Sequence, residues 1–185
     1  AHFRLYALFE SLNPESTKTQ MKTTAPKSKL AQTFQPQIHH GDCREVLTQL
    51  PAQSIDLIFT SPPYSDRRKS SYGGIKPQDY VNWFLPIAKE LKRVRKPTGT
   101  FMPNIKEKAM NGQRHPYVLE LSLALKEQGW LWTEEYIWYK KNPYPGKWTN
   151  RFRDAWERLL QFNLQKKFKM YQEAVMIPAS PNTKA

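Results

Sequence analysis

The sequence predicts an α/β fold built on an open sheet. From Gln37 onward, short runs of β-forming residues alternate with amphipathic helical patterns, and this alternation is typical of α/β domains. The chain has 185 residues, of which 39% are hydrophobic and 13% are aromatic, so it is long enough to bury a core. Ligands of open α/β sheets bind at the carboxyl ends of strands, and we expect functional residues there.

The first predicted elements form a β-α-β unit. Residues 37–42, QIHHGD, are predicted as a short strand and turn, and CREVLTQL as a helix that begins at Cys43. IDLIFT is predicted as a buried strand parallel to the first one. Residues 1–36 are rich in Ser, Thr, Pro, Gln and Lys without an apolar period, so we expect a flexible N-terminal extension.

Three further helices and three further strands are predicted after a polar surface loop, DRRKSSYGGIKPQ. The first of these helices has Asp79 as its N-cap and places apolar residues on one face, namely Tyr80, Phe84, Ile87, Leu91 and Val94. The remaining elements are the strand TGTFMPNI, the helix HPYVLELSLALKEQG, the strand WLWTEEYIWYKK, the helix FRDAWERLLQF and the strand EAVMI. Residues 37–178 form the predicted domain, and residues 179–185 a flexible tail.

The charge of the chain favours a polyanionic partner. The formal net charge is +13, and residues 91–170 carry 17 basic and 7 acidic side chains. A basic surface concentrated in one part of a chain is typical of nucleic-acid-binding proteins, although a merely soluble basic surface stays open as an alternative.

Cysteine and histidine usage excludes two further classes of protein. With the single cysteine Cys43 there is no internal disulfide framework, and four scattered histidines offer no zinc-ligand spacing. No apolar run approaches the roughly 18 residues of a membrane span. We therefore expect a cytoplasmic protein without a membrane partner.

The sequence Ser-Pro-Pro-Tyr, from Ser61 to Tyr64, directly follows the predicted strand IDLIFT. Neither proline donates a backbone hydrogen bond and each fixes its own φ angle, so the strand must end in a stiff, irregular turn. An ordinary structural turn is the alternative. A stiff turn at a strand's carboxyl end holds its hydroxyl, carbonyl and aromatic groups in reproducible positions.

Together with Gly41-Asp42 and the later segment WYKKNPYPGKW, this turn resembles the DNA amino-methyltransferases, especially the cytosine-N4-specific group. The resemblance spans about residues 38–178 and rests most on Thr60 to Tyr64. It implies a partial Rossmann-like sheet of the S-adenosylmethionine-dependent methyltransferase type. It also implies S-adenosyl-L-methionine as methyl donor, double-stranded DNA as partner, and a role in restriction-modification.

The resemblance assigns a role to each residue of the turn, which in that family receives the flipped-out target base. An exocyclic amine is a poor nucleophile because its lone pair is delocalised into the ring, and hydrogen-bond acceptors aimed at its N–H groups activate it. The implied acceptors are the Ser61 hydroxyl and the Pro62 carbonyl. Pro63 stiffens the turn, and Tyr64 is implied to stack on the base.

Cofactor contacts are implied for Asp42 and Thr60, which lie near S-adenosyl-L-methionine in the resemblance. Asp42 is equally well interpreted as the N-cap of the helix that follows it, and both roles are compatible. Cys43 suggests the cysteine nucleophile of carbon-5 cytosine methylation. Because it follows Asp42 and not a proline, we interpret it as a buried thiol.

The basic and aromatic segment KKNPYPGKWTNRFRD is the predicted DNA contact. Lysines and arginines neutralise phosphates, and aromatic rings support an unstacked base. A solvated loop packed by its own aromatics is the alternative. The implied DNA-binding residues are Lys140, Lys141, Asn142, Lys147, Arg151 and Arg153.

The sequence departs from the family pattern in one respect. The family usually carries a later Phe-x-Gly-x-Gly segment that holds the methionine part of the cofactor, and the chain contains none. We therefore expect the N-terminal catalytic half of an enzyme, whose partner is a complementary cofactor-binding half or a second chain. The alternatives are a DNA-binding fragment without catalysis and an adenine-N6 methyltransferase. Pro103 lies inside the predicted strand TGTFMPNI, where a proline removes one backbone hydrogen-bond donor. We expect either a damaging substitution or a tolerated bulge at this position.

Overall fold

The computed structural model describes residues 36–65, 74–143, 145–146 and 149–177 of the chain. Its helices and strands, in chain order, are α1 (Cys43–Gln49), β1 (Ile55–Thr60), α2 (Tyr80–Val94), β2 (Arg95–Ile105), β3 (Ala109–Met110), β4 (Gln113–Arg114), α3 (Tyr117–Glu127), β5 (Leu131–Tyr139) and β6 (Trp156–Asn163). Among the described residues, no helix has both the length and the apolar character that a membrane span requires. The predicted extension (except Pro36), most of the polar loop and the predicted tail lie outside the described residues.

The main sheet has four strands in the order β1-β2-β6-β5. Strands β1 and β2 are parallel, whereas β6 is antiparallel to both β2 and β5. The carboxyl ends of β1, β2 and β5 therefore lie at one edge of the sheet, together with the amino end of β6. This mixed sheet confirms the predicted α/β fold class.

Helix α2 connects the two parallel strands and packs on the sheet. All five apolar positions that the sequence placed on one face are buried, and they form a continuous core with residues of α1, α3, β1, β2 and β6. Asp79 is the N-cap residue, as predicted, but its side chain makes no capping hydrogen bond. The parallel unit of the fold is thus β1-α2-β2.

The prediction of a strand at residues 37–42 is wrong. The structure assigns no strand there, and both His39 and His40 are exposed. A strand needs a neighbouring strand to satisfy its backbone groups, and among the described residues β1 pairs with β2 alone. The predicted first β-α-β unit is therefore replaced by the one that contains α2.

Two predictions in the last third of the chain are also wrong. FRDAWERLLQF was predicted as a helix, but residues from Trp156 onward form β6, because both edges of that strand are taken up by β2 and β5. EAVMI was predicted as a strand, but the chain makes a 3₁₀ turn at Gln172–Ala174. The apolar residues after that turn are exposed, so among the described residues no strand covers them.

Pro103 lies inside β2 without shifting its pairing. It is opposite Thr60 in the β1 ladder, and the pairing with β6 keeps the same register on both sides of it, with Phe101 opposite Phe162 and Asn104 opposite Leu159. The strand therefore tolerates the loss of one backbone donor, and no bulge is needed there.

Candidate active site at the carboxyl end of strand β1

The Ser-Pro-Pro-Tyr turn follows β1 directly and is anchored by neighbouring elements. Pro62 and Pro63 are buried, whereas Ser61 is exposed. The hydroxyl of Tyr80, at the start of α2, donates a 2.8 Å hydrogen bond to the Pro63 carbonyl. The turn is thus fixed through its second proline, whereas Ser61 is an exposed residue whose side chain interacts with the Tyr64 hydroxyl.

Tyr64 is held by residues from two other strands. Its hydroxyl oxygen lies 2.7 Å from Glu157 Oε2, in β6, and 3.0 Å from Asn104 Oδ1, in β2. Burial raises the pKa of Tyr64, and the hydrogen bond to the Glu157 carboxylate raises it further, so the phenol stays neutral. These contacts fix the direction of the aromatic ring.

Glu157 also binds Lys140, which follows β5. The Lys140 ammonium donates to Glu157 Oε1 and lies 4.9 Å from the centre of the Trp138 ring. Burial alone would raise the pKa of the Glu157 carboxyl, but the hydrogen bonds from Lys140 and Tyr64 hold it below its usual value. Glu157 is therefore a carboxylate that joins the turn to the end of β5.

The four strands of the main sheet thus meet in one hydrogen-bonded cluster at a single edge. We call Tyr64, Asn104, Lys140 and Glu157 the tyrosine cluster. The sequence placed Tyr64 at this edge but missed Asn104 and Glu157. Glu157 was missed because its segment was predicted as a helix. The signal for Asn104 was a polar residue near the carboxyl end of a predicted strand.

The two predicted cofactor residues have different environments. Asp42 is the N-cap of α1: its carboxylate accepts from the Arg44 backbone N–H at 2.9 Å and forms an ion pair with the Arg44 guanidinium at 2.6 Å. The side-chain hydrogen bond from Arg44 lowers the pKa of Asp42 to about 2, although burial opposes the shift. The N-cap interpretation is confirmed, and the cofactor role stays a prediction.

Thr60, the last residue of β1, carries an unusual hydroxyl group. Its Oγ1 atom is buried and has no hydrogen-bond partner among the described residues. An unpartnered buried hydroxyl costs free energy unless a ligand or water satisfies it. This observation fits a polar ligand group bound at the end of β1.

The predicted DNA contacts divide into three groups. Lys140 belongs to the tyrosine cluster, so its charge is already paired within the protein. Lys141, Asn142, Arg151 and Arg153 are exposed. Lys147 lies outside the described residues. DNA binding by this segment stays a prediction.

Cys43 is buried at the start of α1, as the sequence analysis expected. It is 3% exposed, and burial raises the pKa of its thiol to about 11. A buried, protonated thiol is a poor nucleophile. The residue is part of the hydrophobic core.

Comparison with known proteins identifies the family. A family model described as DNA methylase, for N6 and N4 methyltransferases, matches residues 55–184. The type II methyltransferase M.PvuII of Proteus hauseri is 33% identical over 116 residues, which are 60% of this chain and 34% of that protein. M.MwoI of Methanothermobacter wolfeii is 30% identical over 131 residues, 66% of this chain and 20% of that protein. The chain therefore spans about a third or less of these two relatives.

Solved structures agree with the fold. The cytosine-N4-specific PvuII DNA methyltransferase superposes with a TM-score of 0.63 at 26% identity, covering 78% of this chain and 57% of that chain. A DNA modification methylase of Thermus thermophilus, solved with S-adenosyl-L-methionine, has a TM-score of 0.52 at 22% identity and covers 72% and 55%. From the family match over residues 55–184, this chain belongs to the N6/N4 DNA methylase family.

Proposed function

We propose that this chain supplies the catalytic part of a DNA amino-methyltransferase of the type II restriction-modification class, which acts on the exocyclic N4 amine of a flipped-out cytosine. The observation that carries the proposal is the anchored Ser-Pro-Pro-Tyr turn, whose tyrosine is fixed by Asn104 and Glu157 at the edge of the sheet where ligands of α/β folds bind. The family match and the likeness to M.PvuII support it.

In the proposed mechanism the chain's own residues prepare the amine. The hydroxyl of Ser61, an exposed residue, and the Pro62 carbonyl accept hydrogen bonds from its two N–H groups, which localises the nitrogen lone pair. The ring of Tyr64 stacks on the base and offsets part of the cost of flipping it. Because the tyrosine cluster holds the ring before the base arrives, little ordering remains to be done on binding.

S-adenosyl-L-methionine, when bound, supplies an electrophilic methyl group. The residues proposed to contact it are Thr60, through its unpartnered buried hydroxyl, and Asp42. Asp42 is already engaged by Arg44, so we assign Thr60 the more direct contact. The sequence lacks a Phe-x-Gly-x-Gly segment, so the proposal includes a complementary cofactor-binding part that raises the affinity for S-adenosyl-L-methionine, while the chain by itself uses the cofactor only at high concentration.

Cytosine N4 is proposed over adenine N6 because the PvuII enzyme, which superposes with the higher TM-score of the two structures above, is cytosine-N4-specific. The matched family contains both kinds of enzyme, and adenine N6 is therefore the second candidate.

Product identity distinguishes the two candidates. Duplex DNA is incubated with the chain and a high concentration of methyl-labelled S-adenosyl-L-methionine, digested to nucleosides and analysed by mass. Labelled N4-methylcytosine is the expected product. Labelled N6-methyladenine would overturn the assignment of the base, and label at cytosine carbon 5 would overturn the proposed chemistry.

A further inference from the structure

A basic groove lies beside the tyrosine cluster. It has a volume of about 590 Å³ and runs between the β3–β4 hairpin and residues 150–156. The hairpin turns tightly at Asn111 and Gly112, both with positive φ angles of 48° and 79°. Lys106 pairs with Asp154, which lines the groove, and also interacts electrostatically with Glu157, so the groove lies near the tyrosine cluster.

The charge of this groove is positive and comes from arginine. Three arginines line it, Arg114 from the hairpin and Arg151 and Arg153 from the facing segment, against one acidic residue, Asp154. Asp154 pairs with Arg114 at 2.7 Å and with the buried Lys106 at 3.3 Å. Arginine presents a planar fork of N–H donors that matches the oxygens of a phosphate. The groove is therefore suited to an anionic ligand with oxygen acceptors.

Asp154 also holds the β3–β4 hairpin next to the start of strand β6. Burial alone would raise the pKa of Asp154, but the hydrogen bond from Arg114 keeps it below its usual value. Lys106 follows β2, close in the chain to Asn104, and its ammonium lies 4.3 Å from the centre of the Trp156 ring. The wall of the groove is thus built on the same strand ends as the tyrosine cluster.

An aromatic ring completes the groove. Phe152 stands between Arg151 and Arg153, lines the groove and is 98% exposed. A single exposed apolar side chain needs no explanation by itself. A fully exposed ring flanked by two arginines in a cationic groove has the composition of single-stranded nucleic-acid sites, where bases stack on aromatic rings while cations neutralise the backbone.

We propose that this groove binds the sugar-phosphate backbone of DNA next to the target nucleotide, and that Phe152 stacks against a base exposed by the flipping. The inference rests on the proposed function in that the ligand is DNA. It adds Arg114, Phe152 and the β3–β4 hairpin to the interaction surface. An acidic peptide would satisfy the arginines but would leave the exposed ring without a partner.

The test measures binding by fluorescence anisotropy with the full chain and two labelled DNAs, a paired duplex and the same duplex with one mismatched cytosine. The variants are Arg153→Gln and Phe152→Ala, both at exposed positions where substitutions seldom disturb folding. Lys89→Gln, at an exposed position of α2, is the matched loss of one positive charge elsewhere.

We expect Phe152→Ala to weaken binding of the mismatched duplex about tenfold and to change binding of the paired duplex much less. Arg153→Gln should weaken binding of both DNAs and reduce the slope of log affinity against log salt by about one. Lys89→Gln should reduce this slope less than Arg153→Gln does.

Each contrary result is specific. The inference is overturned if the wild-type chain binds neither DNA. It is also overturned if the three variants have equal DNA affinities and equal salt dependence. Binding of poly-glutamate as tight as that of DNA overturns the choice of ligand. Variant effects as expected, with no methyl transfer to DNA in the product assay, leave this inference standing and overturn the proposed catalysis.

Discussion

Replacing Tyr64 with phenylalanine removes one oxygen atom from the centre of the tyrosine cluster. The hydroxyl lies 2.7 Å from the Glu157 carboxylate, and a hydrogen bond to a charged group contributes about 1.5–3 kcal/mol to stability. Glu157 keeps its ion pair with Lys140 in the variant, so we expect a loss near the lower limit, about 1.5 kcal/mol. For a domain of this size, that loss corresponds to a decrease in Tm of about 3–6 °C.

The assay is urea unfolding of the full chain at pH 7, with Tyr139→Phe as the matched control. Tyr139 lies at the end of β5 and is 68% exposed, so the same chemical change there should cost less than about 0.5 kcal/mol. The pKa of Glu157 lies below its ordinary value of 4.5 in the folded chain. The stabilisation by its carboxylate is therefore present above pH 4.5 and is lost as the pH falls through the lowered pKa. Equal free energies of unfolding for the two variants at pH 7 would refute the cluster.

Three further predictions concern the scaffold. Gly99→Ala would place Cβ 2.6 Å from a backbone carbonyl oxygen of β1 and should lower the free energy of unfolding in urea by about 2–3 kcal/mol. Gly112→Ala meets no atom within 4 Å but has a φ angle of 79°, so it should lower this free energy by about 1 kcal/mol. The reverse order of the two losses would contradict the β1–β2 packing. Cys43, with its pKa raised to about 11 from 9.0, should have about a hundredfold less thiolate when folded, so rapid labelling by a thiol reagent at pH 8 without denaturant would contradict its burial. The pKa of Asp42 is lowered to about 2, so its contribution to stability is present above about pH 4 and is lost as the pH falls towards 2; an Asp42 carboxyl resonance that titrates near 3.8 would contradict the ion pair with Arg44.

The sequence predicts the helical layer and the position of the turn because those features are local. The apolar spacing of α2 selects its buried face, and the two prolines after IDLIFT mark where β1 ends. Gly129, the last residue of the predicted helix HPYVLELSLALKEQG, has a φ angle of 84°, the left-handed conformation that glycine adopts at helix ends.

Strand β6 was mispredicted because its polar residues are satisfied by tertiary contacts. Glu157 binds Tyr64 and Lys140, Arg158 binds Glu107 and Glu135, and Asn163 accepts from Thr133. Tyr64 and Lys140, the two partners of Glu157, lie 93 and 17 residues away from it along the chain, so local hydropathy does not reveal these contacts. The same misprediction hid Glu157, and with it half of the environment of Tyr64.

The most direct test of the central claim compares methyl transfer by wild-type chain, Tyr64→Ala and Tyr139→Ala, with labelled S-adenosyl-L-methionine, duplex DNA and circular dichroism to confirm folding. If the turn after β1 receives the base, the yield of labelled N4-methylcytosine from Tyr64→Ala should be at least about tenfold lower than from wild type, because stacking is lost. Tyr139→Ala should keep the wild-type yield. Equal labelling by wild type and a folded Tyr64→Ala variant would contradict the account.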